Sequence, residues 1–221
     1  MVPFTIIGTG STGNAVIVGK NILIDSGLPY VKIEPYMGEI KLVLLTHEHS
    51  DHFKPSTVRR MVLEKPLLRF GCGPWMVKRL VDAGVAKCQI DIMVNRMAYP
   101  YSIGTVIPFP VFHDVENYGY KLHLPAGKVF YATDLGNTAG LNARGYDLIM
   151  LEANYGEEEI KTRMDEKRAR GEYVYEQRSL RYHLSEEQCN DFIIRNAGPT
   201  TEYVYLHRHK DREKSYESED R

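Results

Sequence analysis

"LLTHEHSDHF", residues 44–53, places three histidines, a glutamate and an aspartate within six positions, His47 to His52. It overlaps KLVLLT (41–46), a continuous apolar run of the kind that forms a strand buried on both faces. A donor-rich loop at the end of a buried strand is where α/β scaffolds carry their function. Imidazole nitrogen and carboxylate oxygen are ligands that zinc and other first-row metals accept. In an extended stretch His47 and His49 point the same way, which leaves Asp51 and His52 to face a second position. Glu48 and Ser50 point the opposite way and are read as support. The run holds more donors than one ion can use, so it reads as half of a paired site completed elsewhere.

Upstream, PFTIIG (3–8), NAVIV (14–18) and NILID (21–25) read as strands separated by Gly-rich turns. GTGSTG (8–13) matches the dinucleotide pattern GxGxxG, but the β-patterned AVIVGKNILID follows it instead of a helix. It is read as a tight hairpin whose glycines permit close approach beneath the metal loop. Downstream, Pro55 opens a helix, PSTVRRMVLEK, and a second helix spans 74–84. Strand character returns over 101–134, in YSIGTVIPFPVF, YGYKLHL and KVFYATD, and again in DLIMLEAN (147–154). Residues 157–171 form a helix that is polar nearly all round, with Ile160 and Met164 its large apolar pair: a solvated helix or projecting arm. In 185–199, Ser185 and Gln188 make a capping box and Gly198-Pro199 stops the helix. EYVYLH (202–207) is a last strand.

This order predicts an α/β sandwich in one domain over residues 1–209, followed by a polar, frayed tail over 210–221. At 221 residues and 43% hydrophobic, the chain is long enough to bury a proper core. A formal net charge of −1 excludes a global basic field, so a polyanion must bind through a local site. Cys72, Cys88 and Cys189 are scattered without CxxC spacing and read as reduced thiols. With no signal peptide and no apolar stretch of membrane-spanning length, a cytoplasmic, membrane-free protein is expected.

THEHSDH is similar to the signature of the metallo-β-lactamase superfamily, and that family's other motifs follow in order: Asp25 in NILIDSG, His113 in FPVFHDVENYGY, Asp134 in VFYATDLG and His207 in YVYLHRHK. The resemblance covers residues 3 to about 209 and implies a four-layer αββα sandwich. It also implies two divalent metal ions, zinc or manganese. His47, His49 and His113 would hold the first ion; Asp51, His52 and His207 the second; Asp134 would bridge them, and Asp25 would fix the loop or a ligand imidazole. His209 competes with His207 for the last ligand role; His207 is preferred because it directly follows the apolar strand.

True lactamases of the superfamily carry Cys at the position of Asp134 and Arg at that of His52, so both residues argue against lactam hydrolysis. RYHLSEEQCNDFI resembles a segment of ribonuclease Z-type and small single-domain nuclease-type phosphodiesterases, whose histidine, here His183, faces the scissile phosphate. DLIMLEANYG is similar to those nucleases too, with Tyr155 where they tend to have histidine. The expected function is phosphodiester hydrolysis of a nucleotide, cyclic nucleotides included, or of a nucleic acid. The attack would come from a metal-bridging hydroxide, with Asp51, Asp134 and His183 catalytic. An ester, thioester or lactone hydrolase and a non-catalytic metal-binding protein are the alternatives. His123, Trp75 and the tyrosines are read as packing residues. The charged stretch 157–181 is read as a phosphate contact, a solvated face or a homodimer contact.

Overall fold

The computed structural model describes residues 1–174 and 176–208. His209 and the tail expected over 210–221 lie outside the described residues. A first sheet holds β1 (Phe4–Gly8), β2 (Ala15–Val18), β3 (Ile22–Ile24), β4 (Leu42–Leu45), β5 (Arg69–Cys72) and β6 (Ile90–Ile92) in chain order. A second runs in the reverse order, from β12 (Glu202–Leu206) through β11 (Leu148–Glu152), β10 (Gly127–Ala132), β9 (Asn117–Leu124) and β8 (Gly104–Val111) to β7 (Tyr99–Tyr101). In the first sheet β3 to β6 are parallel; in the second, β10, β11 and β12 are.

Strand periodicity sorts the apolar side chains into layers. Ile22, Ile24, Leu42 and Leu44 point between the sheets, where they meet Val129, Tyr131, Leu148 and Met150. Their neighbours Leu23, Val43 and Leu45 point outward, beneath α1 (Tyr30–Ile33), α2 (Pro55–Glu64) and α3 (Val77–Asp82). On the far side, Phe130, Ala132, Ile149 and Leu151 are covered by Cys189, Phe192 and Ile193 of α6 (Glu186–Asn196). The result is the four-layer αββα sandwich. Each fully buried aliphatic or aromatic side chain in these layers contributes roughly 1.5–3 kcal/mol, which is why parallel strands with two apolar faces are stable only when covered on both.

The expected helix at 74–84 begins as a 3₁₀ turn, Pro74–Met76, before α3. The Trp75 ring lies where a Cβ on Gly73 would be, and packs edge-on against Tyr118. Strands β5 and β6 carry no sequence pattern: RFGC and IDI are short and interrupted by Arg, Gly and Asp. They become strands because β4 offers a parallel edge, with Leu42 opposite Arg69 and Leu45 opposite Cys72. The charged arm is α4 (Glu157–Ala169), whose Ile160 and Met164 pack on Tyr155, and α5 (Glu176–Tyr182). Among the described residues no helix is long and apolar enough to cross a membrane.

A metal-binding centre at the carboxyl ends of the strands

Six strands end at one edge of the sandwich, and each delivers a polar side chain there. Asp25 follows β3, His47 follows β4 after Thr46, His113 follows β8 after Phe112, and Asp134 follows β10 after Thr133; Glu152 ends β11, and His207 follows β12. The carboxyl ends of parallel strands are where an open α/β sheet presents its ligand site. Asp25, Asp134 and His207 adopt the left-handed backbone conformation, with φ of 63°, 54° and 52°. Strain of this kind, on the order of 1–3 kcal/mol per residue, persists where the surroundings over-determine it. The Asn117 side-chain amide donates to the carbonyls of Thr133 (3.0 Å) and Asp134 (2.8 Å). His207 donates its backbone N–H to Thr9 Oγ1 (2.7 Å), while its carbonyl accepts from Asn154 (2.9 Å).

The loop 46–53 is held from below by the β1–β2 hairpin and by residues 25–27. Asn14 donates its backbone N–H to Asp51 O (2.6 Å), and its side-chain nitrogen lies 2.8 Å from His52 Nε2. Ser26 donates to His52 O (2.8 Å). A Cβ on Gly27 would fall 1.7 Å from Asp51 O, so only glycine permits this approach.

The side chains form overlapping clusters of candidate ligand atoms, each within 4.8 Å. One is His47, His49 and His113; another is Asp51, His52 and His207. Asp134 lies between them. Its Oδ2 is 2.9 Å from His52 Nε2, and its Oδ1 is 3.5 Å from His207 Nε2 and 3.9 Å from His113 Nε2. Asp25 belongs to none of these clusters. It accepts from Thr46 N–H (2.9 Å), and its Oδ2 lies 2.7 Å from His52 Nδ1, which turns Nε2 of that imidazole toward Asp134. Asp25, His47, His49, Asp51, His52, His113, Asp134 and His207 are therefore gathered here, while His209 lies outside the described residues. His123 is not among them; it packs on Tyr146 (3.2 Å), and the buried Tyr155 sits under α4.

Glu152 belongs to the same centre and was not picked out by the sequence reading. It is fully buried and forms a further cluster with Asp134, His183 and His207. Its Oε2 accepts the backbone N–H of Leu135 (2.8 Å), and its Oε1 is 2.7 Å from His183 Nδ1 and 3.3 Å from His207 Nδ1. The available signal was an acidic residue closing an all-apolar strand, LIMLE, just as Asp25 follows ILI. Strand parity puts Glu152 on the same side as Leu148 and Met150, between the sheets.

Electrostatics divide the centre in two. Burial and neighbouring imidazoles push the His47 pKa well below its usual value; burial likewise lowers that of His113. Both rings are thus neutral, the form that binds metal. Around Asp134 the sign reverses. Burial opposes ionisation, yet the His207 and His52 imidazoles hold the Asp134 carboxyl well below the usual range. Conversely, Asp134 and Asp25 outweigh burial to raise His52 to about 10. His207 is raised well above its usual value, with Asp134 again the dominant partner. Among the described residues the ion-pair partners of Asp25, Asp51, Asp134 and Glu152 are all imidazoles, never Lys or Arg. Four carboxylates, three of them fully buried or nearly so, are thus balanced only by titratable imidazoles, whose protons a metal ion can replace. Nitrogen and oxygen donors in this arrangement fit divalent metal ions.

A double-sheet αββα sandwich with His, Asp and Glu donors at one strand edge defines the class: a metallo-β-lactamase-fold, metal-dependent hydrolase. Residues 20–189 match the family described as "Beta-lactamase superfamily domain", and the chain belongs to that family. Among curated proteins it is similar to the exodeoxyribonuclease WalJ of Streptococcus pneumoniae, at 26% identity over 92% of this chain and 80% of that protein. It is also similar to the exodeoxyribonuclease YycJ of Bacillus anthracis, at 38% identity over 55% of this chain and 52% of that one. Among solved structures, the metallo-β-lactamase fold protein YhfI of Bacillus subtilis superposes with a TM-score of 0.69, at 15% identity over 93% of this chain and 85% of that chain.

Proposed function

We propose that this chain is a phosphodiesterase acting on nucleic acid with two divalent ions, zinc or manganese. The observation that carries the reading is His183. It is an imidazole outside both ligand triads but locked against them, with Nδ1 2.7 Å from the buried Glu152 and 3.6 Å from Asp134 Oδ1. His47, His49 and His113 would hold one ion, and Asp51, His52 and His207 the other, with Asp134 shared. When bound, such ions polarise the phosphoryl oxygens and lower the pKa of water.

The remaining chemistry belongs to the chain. With Nδ1 engaged by Glu152, Nε2 of His183 is the nitrogen left to meet a substrate. The ring is partly exposed, its side chain 18% accessible. Burial would lower its pKa, but the Glu152 carboxylate raises it above the ordinary histidine value, which favours the protonated, donating form near neutrality. As the P–O bond breaks, His183 gives its Nε2 proton to the leaving alkoxide, and Glu152 stabilises the imidazolium before transfer. To Asp51, whose side chain is 23% accessible, we assign the proton of the attacking water.

Two relatives named as exodeoxyribonucleases favour a nucleic-acid strand over a cyclic nucleotide. The three cysteines are free thiols, which supports a reducing, cytoplasmic location. The test is hydrolysis of bis-p-nitrophenyl phosphate, oligonucleotides and acyl esters by metal-loaded and chelated protein. Metal-dependent diester cleavage is expected; ester turnover with the diesters untouched would overturn the reading in favour of an acyl hydrolase.

A further inference from the structure

The residue before each of two site histidines is aromatic: Phe112 precedes His113 and Tyr182 precedes His183. Their rings face one another at 6.0 Å between centroids, 28° apart. Phe112 is 49% exposed and belongs to none of the buried apolar clusters, although its neighbour Val111 packs against one. The Arg181 guanidinium covers the Tyr182 ring at 5.1 Å from its centroid. The pair is built into the centre. His113 Nδ1 lies 3.1 Å from the Tyr182 carbonyl, and the Tyr182 ring meets His113 edge-on at 6.0 Å. Gly136, two residues past Asp134, donates to the Phe112 carbonyl (2.8 Å), and a Cβ there would strike the Arg181 carbonyl at 2.2 Å. Three loops that carry site residues thus converge only because position 136 is glycine. Arg178 pairs with Asp114, fixing α5 over the same loop.

We propose that Phe112 and Tyr182, flanked by Arg181, form a stacking platform for an unpaired nucleobase of the strand whose phosphate lies at the metal-binding centre. The proposal rests on the nucleic-acid reading above and narrows it to substrates with a free, unstacked terminal nucleotide. An apolar ring left half-exposed beside a charged centre exposes surface that water disfavours, and a nucleobase covers it. Aromatic stacking plus a neighbouring guanidinium is the sequence-tolerant way proteins hold single strands. This assigns a recognition role to Tyr182, which the sequence alone marked as packing.

The measurement is steady-state kinetics on two single-stranded oligonucleotides that differ only at the terminal nucleotide, one intact and one abasic. Phe112→Ala and Tyr182→Ala are expected to raise KM on the intact strand by roughly ten-fold, with Tyr182→Phe restoring it. The wild type should lose a similar factor on the abasic strand, and Phe112→Ala should lose nothing further there. Metal content and melting temperature of each variant establish that it is folded. Equal KM for both strands in the wild type would overturn the platform while leaving phosphodiester hydrolysis intact. If no strand is cleaved, a terminal 2-aminopurine decides separately. Quenching by the wild type that disappears in Phe112→Ala supports the platform although hydrolysis has failed, and absence of quenching overturns it.

Discussion

The two halves of the centre are built from opposite materials. The His47–His49–His113 cluster is three imidazoles, two of them pushed toward neutrality by burial and by one another. The half around Asp134 is ionised, with carboxylates and raised imidazoles stabilising each other in the interior. The first half offers lone pairs to a metal and costs little when empty. The second concentrates negative charge that only a cation, a proton or a metal ion can neutralise. A metal should therefore be held by both halves, but charge, stability and proton transfer should depend on the second.

Asp134→Ala would break this contrast most directly, because it removes the carboxylate that, among the described residues, faces both clusters. Activity should fall by at least ~10³-fold, equivalent to several kcal/mol of lost electrostatic stabilisation. Elemental analysis should show reduced metal content. Retention of full activity would remove Asp134 from the centre of the scheme.

Glu152→Gln tests the second half by changing a neighbour of His183 and of the proposed ligand His207 while replacing no ligand itself. Activity is expected to drop by about 10²-fold with metal content preserved. The sign of the pH effect follows from the His183 environment. Its pKa is raised by the Glu152 carboxylate, so activity that needs the protonated ring is present below that pKa and declines above it. Without the carboxylate the declining limb of the kcat profile should move to lower pH; an unmoved limb would separate His183 from proton transfer.

Metal removal sharpens the comparison through stability. A single ion bound to the folded state at ~100 times its Kd contributes about 2.7 kcal/mol. For a domain of this size that corresponds to a fall in Tm of roughly 5–10 °C on chelation. Protonating the ligand imidazoles should shrink this difference, so it should be smaller at pH 4 than at pH 7; an equal shift at both would show that ligation by neutral imidazole is not the source. The smallest effect is expected for Asp25→Asn, which leaves every proposed ligand in place but weakens the acceptor at His52 Nδ1. Metal affinity should fall by about 10–100-fold, read by competition with a chelating dye.

The same two halves differ in how far the sequence disclosed them. The donors of the first sheet lie in one loop, THEHSDH, where spacing alone separates His47 and His49 from Asp51 and His52. The second sheet contributes single residues from four strand ends, scattered between 113 and 207, and no local pattern links them. Resemblance to a family recovered His113, Asp134, His183 and His207. Glu152 went unnoticed because a lone glutamate after LIML has the same local signature as any strand that ends in a charge. Likewise β5 and β6 were invisible, since RFGC and IDI become strands only against the edge of β4.

By itself, the sequence determined the layers and the chemistry. Runs such as LVLL and LIML, apolar at every position, can be stable only inside a covered parallel sheet. A loop of imidazoles and carboxylates after such a strand can do little but bind metal. Tertiary structure decided the pairing: which carboxylate faces which imidazole, and that Glu152 engages His183. It also decided that Phe112 meets Tyr182 through the gap at Gly136. These are contacts between segments tens of residues apart, set by sheet register and by backbone approaches that a single Cβ would prevent.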